Sequence, residues 1–330
     1  VRILVTGREG QVARSLAERG GRHELVFAAR PDFDLSDSDS IARAIESARP
    51  DLVISAAAYT AVDHAEDEPE LAMTINGEAP GHIGRAAASA GAPVLHISTD
   101  YVFDGSGERA WREDDPTGPI GVYGQTKLAG EEALAASGAA YAILRTAWVY
   151  SPFGNNFVKT MLRLAESRDT LNVVNDQYGN PTSARDIADA LLAVADRWAG
   201  APGHGQNAVY HFAGTGSTNW ADFARAIFAR SGKRGGPTCE VSGIPSSEYP
   251  TKAQRPANSR LDSAKFAEAF GYSAPRWEDS LDETVARNRQ LGGTQHIRSI
   301  GAIGPARLTG VEDIGHRHGH RIVQPQWLQT

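Results

Sequence analysis

Through its first 150 residues the chain alternates short β-branched and aliphatic runs with longer Ala-rich stretches of helical period. The apolar runs at 3–6, 24–28, 51–55, 93–98 and 140–146 are bounded by polar, Gly or Pro residues, which predicts buried strands. One helix is expected after Gln11. A second starts from a Ser36/Asp37 cap, with Ile41, Ala44, Ile45 and Ala48 at i, i+3, i+4, i+7 spacing. A third is expected over 69–90. Strands alternating with helices predict an α/β, doubly wound parallel sheet with helices on both faces. Such sheets bind ligands beyond the carboxyl ends of their strands, so the loops after Thr6, Ser55, Ser98 and Thr146 are where chemistry belongs.

After about Tyr150 the texture changes. Helical patterns at 155–166 and 184–198, a short strand at 171–175 and Pro/Gly-rich joints at 200–207 and 232–237 predict a smaller C-terminal lobe over 151–291, some segments of which return to the first domain, 1–150. From Gly292 the pattern stops, and 292–330 reads as a disordered tail. Its Gly315–Arg321 tract is His-rich but lacks a Cys or carboxylate set, so no metal site is expected there.

The 330 residues carry 33 Lys+Arg against 40 Asp+Glu, a net charge of −7. That balance argues against nucleic acid or a membrane surface as the main partner, while a local Arg pair could still hold a small anion. Cys239 stands alone, which excludes a disulfide framework and suits a reducing compartment. No apolar run approaches the ~20 residues of a spanning helix, and the chain opens straight into a strand pattern. A soluble cytoplasmic protein is expected, with a homodimer left open.

Gly7-Arg8-Glu9-Gly10-Gln11-Val12-Ala13 follows the first strand and opens the first helix. A dinucleotide pyrophosphate needs free N–H groups at a helix N-terminus and glycines that let the backbone approach. At the end of the second strand, where NAD-specific sites carry an acid, the chain has Arg30, and Arg8 lies inside the glycine turn. Two guanidiniums suit a 2′-phosphate, so NADPH is preferred, with NADH left open. Tyr123-Gly124-Gln125-Thr126-Lys127 puts a phenol and an ammonium on one helical face. A cation beside the phenol is expected to lower its pKa, so that the pair can protonate a developing alkoxide. At the end of the fourth strand, Ser98 and Thr99 both qualify as a hydroxyl for the substrate oxygen. Trp148 could pack on a sugar or base. Arg255 and Arg260 are candidate diphosphate clamps, and Asn155 and Asn156 suit a helix cap. The acidic run 63–70 reads as a solvated loop and helix start rather than a metal site.

These residues resemble the extended short-chain dehydrogenase/reductase superfamily, whose cofactor domain is a Rossmann sheet, and within it the dTDP-4-dehydrorhamnose reductase family. The strings that carry the narrower likeness run in the family's order from residue 1 to about 291. They include Ala56-Ala57-Ala58-Tyr59-Thr60, Ser98-Thr99-Asp100-Tyr101-Val102-Phe103, Arg145-Thr146-Ala147-Trp148-Val149-Tyr150, Asn175-Asp176-Gln177-Tyr178-Gly179 and Arg255-Pro256-Ala257-Asn258-Ser259-Arg260-Leu261. The resemblance implies reduction of the 4-keto group of a dTDP-linked 6-deoxysugar, the last step to dTDP-L-rhamnose for surface polysaccharide such as lipopolysaccharide. It implies Tyr123 as proton donor, Lys127 on the nicotinamide ribose and Thr99 as third catalytic hydroxyl. Gly7, Gly10, Gln11, Val12, Arg30, Asp34, Leu35, Ala58, Tyr59 and Thr60 are then expected around the cofactor, and Thr99, Asp100, Trp148 and Arg255 around the sugar nucleotide. Family members that use Mg²⁺ do so through carboxylates near the first helix. Ala13-Arg14-Ser15 offers none, which leaves Mg²⁺ and that dimer in doubt. Two other readings remain: a nucleotide-sugar epimerase or dehydratase of the same superfamily, and a cofactor-binding regulatory subunit. A single Asp100 after Thr99, rather than an Asp-Glu pair, argues against a dehydratase. The intact Tyr/Lys/Thr set argues against a regulator.

Overall fold

The computed structural model describes residues 1–300, the last ten of them as helix backbone. The first half forms β1 (Arg2–Thr6), α1 (Gln11–Arg19), β2 (Glu24–Ala28), α2 (Ser38–Ala48), β3 (Leu52–Ser55), the short α3 (Val62–Ala65) and α4 (Pro69–Ala72), a π-helical turn Met73–Glu78, α5 (Ala79–Ser89), β4 (Val94–Thr99), α6 (Val122–Ala135) and β5 (Tyr141–Thr146). Further on come α7 (Phe157–Leu164), β6 (Thr170–Val174), α8 (Ala184–Gly200), β7 (Ala208–His211), α9 (Trp220–Lys233), β8 (Glu240–Ile244), α10 (Ala264–Phe270) and α11 (Trp277–Ile300).

Six strands make one parallel sheet in the order β7-β5-β4-β3-β1-β2. The period-2 alternation of side chains splits each strand between two cores. Ile3, Val5, Ile54 and Leu95 pack under Leu16 of α1 and Ile187 and Leu191 of α8. Leu4, Val53, Val94 and Ile143 pack under Ile41 and Ile45 of α2, Ile83 of α5 and Leu134 of α6. Each face is thus covered, which is why the strands read as unbroken apolar runs. The chain leaves β1 on one side for β2 and returns on the other for β3. That reversal opens a crevice at the carboxyl ends of β1 and β3.

The continuous helix expected over 69–90 is broken. Met73–Glu78 is a π-turn between α4 and α5. Pro80 has no N–H to offer the Asn76 carbonyl, and the widened turn lets α6 approach: a Cβ on Gly130 would stand 2.0 Å from Asn76 O. The second lobe has its own core of Tyr150, Phe157, Met161, Leu171, Phe223, Ile227 and Trp277, over the parallel pair β6–β8. Three later segments rejoin the first half: α8 packs on α1, β7 pairs with β5 at the sheet edge, and α10 packs Phe266 and Phe270 into the same core beside α8 and β7. Where the sequence pattern stops at Gly292, the backbone of α11 continues to Ile300, so 292–300 depart from the tail reading. The rest of that tail, with the His-rich tract, lies outside the described residues. Among the described residues no helix is long and apolar enough to cross a membrane.

Candidate active site

Beyond the carboxyl ends of β1, β3, β4 and β5 lies a cleft of about 670 Å³. Its floor at one end is the glycine turn. Gly7 has φ +84°, its N–H donates to Ala28 O at 2.7 Å, and a Cβ there would meet Ala57 Cβ at 3.3 Å. Gly10 is the N-cap of the nine-residue α1. No atom lies within 4 Å of where its Cβ would stand, and the first turn holds no acid. The backbone there is open to an anion at a positive helix end. Val12, Arg8, Arg30, Ala58 and Thr60 also line the cleft. Arg30 is largely exposed and pairs with Asp34 at 3.1 Å.

Gln11 lines the cleft, but its side chain has a further use. Its Oε1 accepts from Ser151 Oγ at 2.8 Å and Asn156 Nδ2 at 3.0 Å, tying the glycine turn to the second lobe. Asn156 also caps α7 through the Lys159 N–H. Three residues assigned to the cofactor by resemblance, Asp34, Leu35 and Tyr59, do not line the cleft. Asp34 accepts from Ser36 and faces Arg30, and Leu35 packs on the core under α2. The Tyr59 backbone is gripped by Asn76, with both bonds at 2.9 Å, which turns its phenol outward to Glu68.

At the end of β4 the alternation separates Ser98 from Thr99. Ser98 Oγ donates to Glu131, which is buried in an ion pair with Arg145 at 2.6 Å. Thr99 is hydrogen-bonded to the Tyr123 phenol, and its Oγ1 also donates to Asp100 Oδ1 at 3.1 Å. Both residues line the cleft, but the Ser98 hydroxyl is turned to Glu131 while Thr99 stands beside the phenol. Asp100 is buried; burial raises its carboxyl to about 6, against hydrogen bonds from Ser259 and Thr99 that lower it. α6 begins at Val122, and a Cβ on Gly124 would stand 2.2 Å from Tyr101 O, so the helix rests on the turn after β4. This contact brings Tyr123 and Lys127 into the cleft beside Thr99.

One electrostatic expectation is reversed. The Tyr123 phenol is pushed up, not down, first by burial and then by the nearby Asp100 and Tyr101. The Lys127 side chain is turned elsewhere. Its ammonium donates to Ile97 O at 2.7 Å and lies 3.3 Å from His96 Nε2. Burial also lowers Lys127 to about 8. In this arrangement the phenol holds its proton firmly.

On the opposite wall Trp148 has φ +49° and stacks face to face on Trp220, centroids 3.5 Å apart. Arg255 reaches in from the second lobe, donating to Asp63 at 2.7 Å and Tyr101 Oη at 3.1 Å, with Nε unpartnered. Arg260 lies outside the cleft lining, on Asn258 and over the Tyr178 ring.

A family model described as the RmlD substrate binding domain matches residues 1–290. The chain is 46% identical over 286 residues to a dTDP-4-dehydrorhamnose reductase of Sinorhizobium fredii, covering 86% of this chain and 97% of that protein. It is 45% identical over 286 residues to the protein of that name from Salmonella typhimurium, covering 84% and 94%. The chain belongs to the dTDP-4-dehydrorhamnose reductase family. A solved reductase of this family from Clostridium acetobutylicum superposes with TM-score 0.81 at 36% identity, over 88% of this chain and 100% of that one. The Bacillus anthracis reductase, solved in complex with NADP, gives 0.79 at 31% identity, over 87% and 99%. A UDP-glucose 4-epimerase of Thermotoga maritima, 18% identical with TM-score 0.71, shares the fold.

Set beside the reductase family, the acidic run 63–70 has a mechanical use that sequence reading missed. Asp63 accepts from Arg255 and from Ala253 N, Asp67 pairs with Lys252, and Glu66 accepts from Val122 N at 2.9 Å, capping α6 from outside. The signal was present as Glu66 but its partner lay 56 residues away. Among the described residues no cluster of three or more metal-binding side chains occurs.

Proposed function

We propose that this chain reduces the 4-keto group of dTDP-4-dehydro-L-rhamnose with NADPH to give dTDP-L-rhamnose, as a step of dTDP-rhamnose biosynthesis. One observation carries the reading: Thr99, Tyr123 and Lys127 line the same cleft as the glycine turn. The cleft suits the dinucleotide, with Gly7 at positive φ, open space over Gly10 and two arginines at the rim. Gly7, Gly10, Gln11, Val12, Arg8, Arg30, Ala58 and Thr60 would hold it. When bound, its dihydronicotinamide supplies hydride to the sugar carbonyl carbon.

Tyr123, protonated at neutral pH, delivers its proton to O4 as negative charge develops there. The Thr99 hydroxyl stabilises the phenolate left behind, and Lys127 fixes the ribose side of the site. These preset dipoles act in a buried cleft, where they are worth most. On the sugar-nucleotide side, Asp100, Trp148 and Arg255 are the proposed contacts. In this reading 1–150 carry the cofactor, and 151–291 form the sugar-nucleotide lobe apart from α8, β7 and α10.

The test mixes purified protein, NADPH and the dTDP-4-keto-6-deoxysugar and follows nicotinamide absorbance. Stoichiometric NADPH consumption is expected; an epimerase or a regulatory subunit would consume none. Tyr123→Phe should lose at least about a thousandfold in kcat with NADPH affinity nearly unchanged. Near-normal turnover would remove Tyr123 from its role. Arg30→Ala should weaken NADPH about tenfold and leave NADH unaffected; equal losses for both would place the 2′-phosphate elsewhere.

A further inference from the structure

His96 has no part in the reading above, yet it sits directly behind the catalytic helix. It is 1% exposed, on β4, three residues before Thr99. Its Nε2 lies 3.3 Å from Lys127 Nζ and its Nδ1 lies 3.0 Å from Ser55 Oγ of β3. An ammonium has three N–H donors and no acceptor, so the nitrogen that faces Lys127 must be bare. The imidazole proton is then on Nδ1, donated to Ser55. Burial and the Lys127 charge both disfavour a second proton on the ring.

We propose that His96 is a positioning residue of the reduction: its bare Nε2 and the Ile97 carbonyl engage two of the three Lys127 donors and so direct the third into the cleft. Ile97 O, at 2.7 Å, is backbone and immobile. With that bond alone the ammonium could still rotate about the Nζ···O axis. The second acceptor removes that freedom, and Ser55 in turn fixes the ring. Other elements around Lys127 do not supply this restraint. Glu131, on its own helix, raises its proton affinity but is bonded to Ser98 and Arg145. Asp100 and Tyr101 act on Tyr123. Glu70 of α4, Glu78 of the π-turn and His82 and Arg85 of α5 are not among the influences on the ammonium. The inference deepens the reductase reading and rests on it for the role of Lys127.

The test has two arms. In the unaltered protein, ¹⁵N-histidine NMR should show His96 neutral with its proton on Nδ1 across pH 6–8; an Nε2–H or doubly protonated ring overturns the proposal whatever the activity. In the second arm, His96→Phe keeps a ring of similar size without an acceptor. His96→Gln keeps an oxygen able to reach Lys127. Phe should weaken NADPH binding, read by fluorescence, and lower kcat, each roughly tenfold, as for loss of a bond to a charged group. Gln should recover most of both, and in a Lys127→Ala background His96→Phe should add nothing. Equal behaviour of Phe and Gln, or additive losses with Lys127→Ala, overturns the proposal. Should Phe fail to fold, the NMR arm and the Gln variant still decide. If the unaltered protein oxidises no NADPH with any keto-sugar, the reductase reading falls, while the tautomer and cofactor-affinity measurements still judge His96.

Discussion

Single residues show where chemistry and burial compete. Lys127 is 2% exposed and lowered to about 8 from the usual 10.5. Between those values the unfolded chain binds the extra proton, so stability should rise with pH across that window and the full cost should stand below pH 8. The shift corresponds to roughly 3 kcal/mol at neutral pH. Lys127→Met should accordingly unfold at higher urea than the unaltered protein at pH 7, with the gap closing toward pH 10. A gap of the same size at both pH values would show that the charge is not the cause. Asp100 is the acidic counterpart: buried, raised to about 6, and beside Thr99. Both residues reduce stability to keep charge in a cleft, as functional sites commonly do. None of this is visible in sequence, where Lys127 looks like an ordinary helix lysine and the Tyr–Lys pair suggests a lowered phenol pKa. The reversal follows from where each side chain points. The ammonium turns to Ile97 and His96, and burial, with Asp100 and Tyr101 beside it, then outweighs the Thr99 hydrogen bond at Tyr123.

At the scale of elements, α6 is positioned by absences. Gly124 meets the Tyr101 carbonyl, and Gly130 meets that of Asn76. Gly124→Ala should lower stability by about 2 kcal/mol, the usual cost of overpacking, and reduce kcat by displacing Tyr123. Gly200→Ala, at the end of α8 with no atom near the added methyl, should stay within about 1 kcal/mol. Urea unfolding with kinetics on the same samples checks both; an unaffected Gly124→Ala would mean that the helix seat is not tight. The strands and most helices were legible because their periodicity is local. The π-turn was not: Pro80 removes the N–H that would bond Asn76, but the close seat of α6 on the widened turn is a contact 54 residues apart in sequence. The Glu66 cap on α6 escaped for the same reason.

Across the whole molecule a net charge of −7 coexists with arginines 8, 30 and 255 around one cleft. Raising ionic strength from about 0.05 to about 0.2 M should therefore raise KM for the dinucleotide several-fold through screening at the exposed rim. kcat should hold, because the buried groups are little screened. A salt-independent KM would argue that the rim arginines do not meet the ligand. Two lobes share this cleft. Gln11 bonds across to Ser151 and Asn156, and Asp63 bonds across to Arg255. The sequence determined the parallel sheet, the glycine turn at its first strand and the Tyr123/Lys127 pair, because each depends on spacing within one element or one turn. Only the tertiary structure decided that the Ser98 hydroxyl turns to Glu131, that Asp34, Leu35 and Tyr59 stand outside the cleft, and that the acidic run is a brace. Those outcomes depend on which distant group reaches each side chain, and spacing along a chain does not encode that.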